Sequence, residues 1–212
     1  MLKGIFISLE GPDGSGKSTT IKLIADYLKE RNLDFICTRE PGGTQIGERI
    51  RDIILDSSNK NMAFETEALL YAASRGQHVH EKILPALKKG QIVLCERFIL
   101  SSLAYQGIGR GLGIEEVRII NDFAIKGIRP DLTLFFHVDP ATTLERKTLK
   151  KGGDRLEQEG TDFHRKVYQG YMELIKMYPK SVQIIDATKS IEEVFAQSIY
   201  YIEKIFERRN NI

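Results

Sequence analysis

The sequence predicts an α/β fold: a doubly wound, five-stranded parallel sheet with helices on both faces. Three observations lead there. Five short apolar runs recur along the 212 residues: Ile5–Leu9, Phe35–Thr38, Ile92–Cys95, Leu132–Val138 and Val182–Ile185. Each is nearly continuous in apolar character, as strands covered on both faces must be. Longer segments of helical period separate them, the alternation expected of right-handed βαβ units. Finally, a glycine-rich loop follows the first run and opens a helix, and ligands of such sheets bind at the carboxyl ends of strands.

The helices follow from their stripes. Between the first two strands, Lys17–Arg31 carries Ile21, Ile24, Ala25 and Leu28 at spacings of three, four and seven, one helical face. Further helices are expected at Ile46–Leu55, Glu65–Lys88, Glu115–Lys126, Ala141–Lys150, Asp162–Met177 and Ile191–Arg208. The segment Glu145–Gly160 differs from these. It is densely charged and interrupted by Gly152-Gly153. It reads either as a solvated helix with a turn, or as a hinged basic lid at about residues 146–158 over a polyphosphate.

Composition bounds the rest. A chain that is 42% hydrophobic and 28% charged is an ordinary globular one, with no internal repeat or long linker, and residues 1–212 are expected to form a single domain. A net charge of +2 gives no general affinity for nucleic acid. The first ten residues are too short and mixed for a signal peptide, and no apolar run approaches the roughly 18 residues of a membrane span. The expectation is a cytoplasmic protein without membrane contact. Cys37 and Cys95 sit in apolar runs and are expected to be buried, reduced thiols, close together if those strands are neighbours.

The chemistry starts at Gly11-Pro12-Asp13-Gly14-Ser15-Gly16-Lys17-Ser18, an ungapped G-x-x-x-x-G-K-[ST] between a strand and a helix. Glycines let successive backbone N–H groups turn inward on a phosphate, and the helix start adds partial positive charge. Lys17 is expected at the β- and γ-phosphates, and Ser18 on Mg²⁺. The guanine motif Asn-Lys-x-Asp is absent, and the third strand ends in Glu96-Arg97 rather than paired acids. That pair suits transfer to a small bound acceptor: Glu96 toward Mg²⁺, Arg97 between two phosphates. After the second strand, Arg39-Glu40-Pro41-Gly42-Gly43-Thr44 leads into a helix containing Arg51. It reads as a second anion site, or more plainly as a turn with a helix cap.

Taken together, these residues resemble the thymidylate kinase family. The resemblance rests on Glu10 to Thr19, on Arg39 to Thr44, and on Leu69-Leu70-Tyr71-Ala72-Ala73-Ser74-Arg75. It extends through Glu96 to Gly107 and Asp154-Arg155-Leu156-Glu157, and so spans nearly the whole chain. It implies a P-loop nucleoside monophosphate kinase that transfers the γ-phosphoryl group of ATP to dTMP with Mg²⁺, as a homodimer. Another nucleoside monophosphate as acceptor is the alternative. By position, Gly11, Pro12, Asp13, Gly14, Ser15, Gly16, Lys17, Ser18 and Thr19 would bind ATP. Arg39 and Arg97 would bind the dTMP phosphate, and Asp13 the sugar or the metal's water shell. Tyr71 would stack on thymine and Arg75 would bond its O4 edge. Ser101 and Ser102 would lie near N3, Tyr105 against the deoxyribose, with Gln106 close by.

Three departures from the family pattern matter. Glu96 stands where Asp is common, Tyr71 where Phe is usual, and Gly14 where some members carry a basic residue. The last implies that the transition-state cation comes from the lid, with Arg155 or Arg146 as the expected donor and Lys147, Lys150 and Lys151 nearby.

Overall fold

A computed structural model describes residues 3–139, 153–179 and 181–210. The five strands are β1 (Ile5–Glu10), β2 (Phe35–Arg39), β3 (Ile92–Glu96), β4 (Leu132–His137) and β5 (Val182–Asp186). All pair in parallel, in the order β2-β3-β1-β4-β5. The order reverses beside β1, which places the loop after β1 at the switch point of the sheet.

The helices are α1 (Lys17–Glu30), α2 (Gln45–Leu55), α3 (Phe64–His78), α4 (Leu84–Lys89), α5 (Ile99–Ser102), α6 (Ile114–Ile125), α7 (Thr161–Met177) and α8 (Ile191–Asn210). One sheet face packs with α1 and α8 around Ile7, Leu9, Ile24, Leu28, Leu134 and Ile202. The other carries Phe6, Val93, Phe98 and Ile83 under the α3–α4 segment, and Phe135, Tyr171 and Leu174 under α7. The expected helix at 141–150 lies outside the described residues.

Two π-turns were not expected. The long helix read as Glu65–Lys88 is interrupted at Val79–Ile83, just before Pro85 in the first turn of α4. Proline offers no N–H, and its ring crowds the carbonyl four residues back, which a wider turn relieves. The second π-turn, Leu103–Gly109, continues α5 and carries Tyr105 and Gln106.

The cysteines also depart from expectation. β2 and β3 are neighbours, but Cys37 pairs with Leu94 and Cys95 with Thr38. Side chains alternate between faces along a strand, so the two thiols point to opposite sides of the sheet. Cys95 is buried, whereas Cys37 is exposed because β2 is an edge strand.

Candidate active site

The loop after β1 bends through glycines at positive φ. Gly11 (φ 140°) passes so close to β4 that an added Cβ would stand 2.8 Å from the Phe136 carbonyl oxygen. Gly16 (φ 92°) caps α1 in the left-handed region that favours glycine. Lys17 is buried, and its Nζ donates to the carbonyls of Gly11 (3.0 Å) and Pro12 (2.8 Å). Burial, reinforced by the Arg97 charge, pushes its pKa down to about 7. Gly14, Ser18 and Thr19 face solvent at the loop mouth. The Ser18 hydroxyl donates to both oxygens of Glu96, at 3.0 and 2.8 Å. A hydroxyl and a carboxylate side by side are hard oxygen donors, which fits Mg²⁺.

Beside the loop lies a cavity lined by Asp13, Arg51, Tyr71, Arg75, Arg97, Ser101, Ser102, Tyr105, Gln106, Asp154 and Leu156, among others. Seven of the residues singled out from the sequence meet here with Asp13. Their positions follow from two local devices. Glu67, Tyr71 and Arg75 repeat every four residues on one face of α3. In the π-turn, the wider spacing lets the consecutive residues Tyr105 and Gln106 both line the cavity.

Arg75 is almost wholly buried, and the protein takes four of its five N–H groups. Nε donates to Glu40 Oε2 (2.6 Å), Nη1 to Ser102 Oγ (2.9 Å) and Asn121 Oδ1, and Nη2 to the Phe98 carbonyl (3.0 Å). The remaining Nη2 proton is the donor left for a ligand. Glu40 uses its other oxygen on His78 Nδ1 (2.9 Å), and His78 Nε2 meets Thr38 Oγ1 at 2.7 Å.

Arg97 is held as tightly, and its backbone sits at φ 66°, an uncommon value for a non-glycine residue and one that clusters at functional sites. Nη2 donates to Asp13 Oδ1 (2.5 Å), and Nη1 to Ser101 Oγ (2.9 Å) and Tyr171 OH (3.1 Å). Ser101 in turn donates to buried Glu10 at 2.5 Å. Burial pushes the Glu10 carboxyl up, against the lowering effect of that hydrogen bond. Thus Ser101 is saturated by Glu10, Tyr171 and Arg97, and positions the arginine rather than offering itself to a base.

Two expected residues are placed elsewhere. Arg39 is half-exposed and does not line the cavity; it donates to the Pro41 carbonyl (2.8 Å) and pairs with Glu48 (2.9 Å). Arg51 lines the cavity in its stead. The Gly42-Gly43 turn is not an open anion nest, because Ser74 Oγ accepts from the Gly42 N–H and Glu48 accepts from the Gly43 N–H. Arg155 does not line the cavity either. It is buried, with Nε on the Ile54 carbonyl (2.8 Å) and Nη2 2.7 Å from Glu67. Arg146, with Lys147, Lys150 and Lys151, lies outside the described residues.

Sequence reasoning passed over Glu40, Glu67, Asn121 and Tyr171 as members of the site. Glu67 alone left a trace: a carboxylate on the same α3 face as Tyr71 and Arg75.

A phosphate loop at the switch point of a parallel sheet, opening directly onto an arginine-lined cavity, defines a P-loop nucleoside monophosphate kinase. The family model for thymidylate kinase matches residues 9–198. The thymidylate kinase of Finegoldia magna is 60% identical over 97% of this chain and 99% of its own length. That of Clostridium novyi is 51% identical over 93% and 97%. A crystal structure of thymidylate kinase from Ehrlichia chaffeensis superposes with a TM-score of 0.77 at 31% identity, covering 94% of this chain and 98% of that one. The chain belongs to the thymidylate kinase family, and its activity is the ATP-dependent phosphorylation of dTMP to dTDP.

Proposed function

We propose that the cavity around Arg75 and Arg97 holds dTMP and that residues 11–19 hold the ATP phosphates. One observation carries this reading. Asp13 belongs to the phosphate loop, lines the acceptor cavity and grips Arg97, so the two sites share a wall. Arg97 then stands where it can bridge donor and acceptor phosphates, and Arg51 supplies a second cation to the acceptor. The free N–H of Arg75 matches a carbonyl oxygen of the base, and Tyr71 lies one turn earlier to stack on the ring.

Catalysis on this geometry is direct in-line transfer. Lys17 binds the β- and γ-phosphates, moving from the loop carbonyls onto the nucleotide and regaining its charge there. The acceptor phosphate is already ionised, so no side chain need act as general base. Ser18 and Glu96 would hold Mg²⁺, whose chemistry is to neutralise charge on the phosphates. Residues 146–158 are the lid of this single-domain enzyme.

The exposed apolar side chains Leu69 on α3 and Ile119 and Phe123 on α6 line one groove. Phe123 is 87% exposed, too costly a placement for a face left in water, and we assign this surface to a homodimer contact. Phe123→Glu is expected to shift the sedimenting species toward monomer. Among the described residues no helix is long and apolar enough to cross a membrane.

The test is an ATP-coupled assay across dTMP, dUMP, AMP, CMP and GMP. Preference for dTMP, lost through a raised dTMP KM in Arg75→Met with the ATP KM unchanged, is the expected result. Preference for AMP or GMP, or an unchanged dTMP KM in Arg75→Met, would overturn the assignment of the cavity.

A further inference from the structure

Glu67 has no place in the chemistry above, yet it is completely buried and faces two arginines and a glutamine. One carboxylate oxygen accepts from Gln106 Nε2 (2.9 Å) and Arg110 Nε (3.2 Å). The other faces Arg110 Nη2 at 3.0 Å and Arg155 Nη2 at 2.7 Å. Burial raises its pKa, but the hydrogen bonds from Arg110 and Gln106 outweigh that and hold it below the usual carboxylate value. Glu67 is therefore a charged group taken out of water and compensated by two arginines.

Two walls of the acceptor cavity hang on this carboxylate. The first is Gln106. A carboxylate only accepts, so the amide nitrogen of Gln106 must face Glu67, which fixes the orientation of the amide and points its oxygen elsewhere. The second is the C-terminal end of the lid. The Arg155 N–H donates to the Leu55 carbonyl (3.1 Å), its Nε donates to the Ile54 carbonyl, and its Nη2 reaches Glu67. Its neighbours Asp154 and Leu156 line the cavity, as does Leu55. The same stretch is pinned again where Glu159 pairs with Arg110 at 2.7 Å.

We propose that Glu67 and Arg155 form a buried latch that positions the walls of the acceptor cavity, so that Arg155 serves dTMP binding rather than the transferring phosphoryl group. Both are positioning residues. Glu67 acts through Gln106 and Arg155. Arg155 acts through Asp154 and Leu156. The inference rests on the assignment of this cavity to dTMP. Binding of dTMP by the unmodified enzyme, and its loss in Arg75→Met, test that assignment separately.

The experiment is titration calorimetry of the full chain with dTMP in the absence of ATP, and with ADP as the control ligand, followed by steady-state kinetics. In Arg155→Met the dTMP Kd is expected to rise about tenfold or more, with the ADP Kd unchanged and the loss in kcat/KM lying mainly in KM. Arg155→Lys keeps a cation for Glu67 but gives up the planar fork that also reaches Ile54, and is expected to recover part of the affinity. A transition-state cation predicts the opposite pattern: an unchanged dTMP Kd with kcat reduced by about a hundredfold or more. That result overturns the proposal. So does a parallel weakening of dTMP and ADP, which would make the latch a general scaffold, and so does an unchanged enzyme. If Arg155→Met does not fold, Arg155→Lys decides: a weakened dTMP Kd with an intact ADP Kd supports the latch, and unchanged dTMP binding overturns it.

Discussion

The two halves of the proposed site are built from different materials. The donor half is mostly backbone: a short run of consecutive residues whose glycines bend the chain, with one buried lysine laid across its carbonyls. The acceptor half is mostly side chains drawn from α2, α3, the π-turn, the end of β3 and the C-terminal end of the lid, held by buried carboxylates. Backbone presents the same N–H groups to any phosphate, whereas side chains distinguish one base from another. A site that must accept one triphosphate and select one monophosphate divides along that line.

The contrast is breakable by experiment. Lys17→Met should cost most, lowering kcat by about 10³-fold. Because the lysine is buried and disfavoured as a cation in the free loop, thermal stability should not fall with it. A matched loss of Tm would mean that the donor loop, too, depends on its side chains. Glu40→Ala should show the reverse emphasis. It strands the buried Arg75 and His78, and breaking such a pair costs about 3–5 kcal/mol, or a Tm lower by roughly 10 °C in scanning calorimetry. Retention of the Tm would show that Asn121, Ser102 and Phe98 suffice to hold Arg75.

A smaller effect concerns pH. With its pKa near 7, Lys17 is charged below that pH and increasingly neutral above it. Nucleotide phosphates favour the charged form, so metal-free ADP should bind with more proton uptake at pH 8 than at pH 6. Calorimetry in buffers of different ionisation enthalpy reads this directly, and equal uptake at both values would exclude it. The smallest change is expected from Tyr71→Phe. The ring is what stacks, so the dTMP KM should stay within about threefold.

The same division explains what could be read from the sequence. All five strands were legible to within a residue at each end, because buried parallel strands leave unbroken apolar runs. The donor loop was legible because its residues are consecutive. The break at Val79–Ile83 was signalled by Pro85 but outweighed by the long apolar period around it. The π-turn at Leu103–Gly109 left no compositional mark. That Arg51 rather than Arg39 lines the cavity could not be seen either, since Arg39 is held by Glu48 reaching back across the turn. Arg155 reads as a lid cation because Gly14 leaves the donor loop without a basic residue, whereas its partner Glu67 lies nearly ninety positions away.

Glu48 has a wider consequence. By filling the Gly42-Gly43 turn with a carboxylate of its own, the chain carries an internal counter-ion where an incoming anion would otherwise be needed to organise the loop. The turn beside the cavity is thus ordered by side chains of the chain itself. The conformational entropy of that loop is spent once, at folding, instead of at every turnover, which leaves more of the monophosphate's intrinsic affinity to appear as binding.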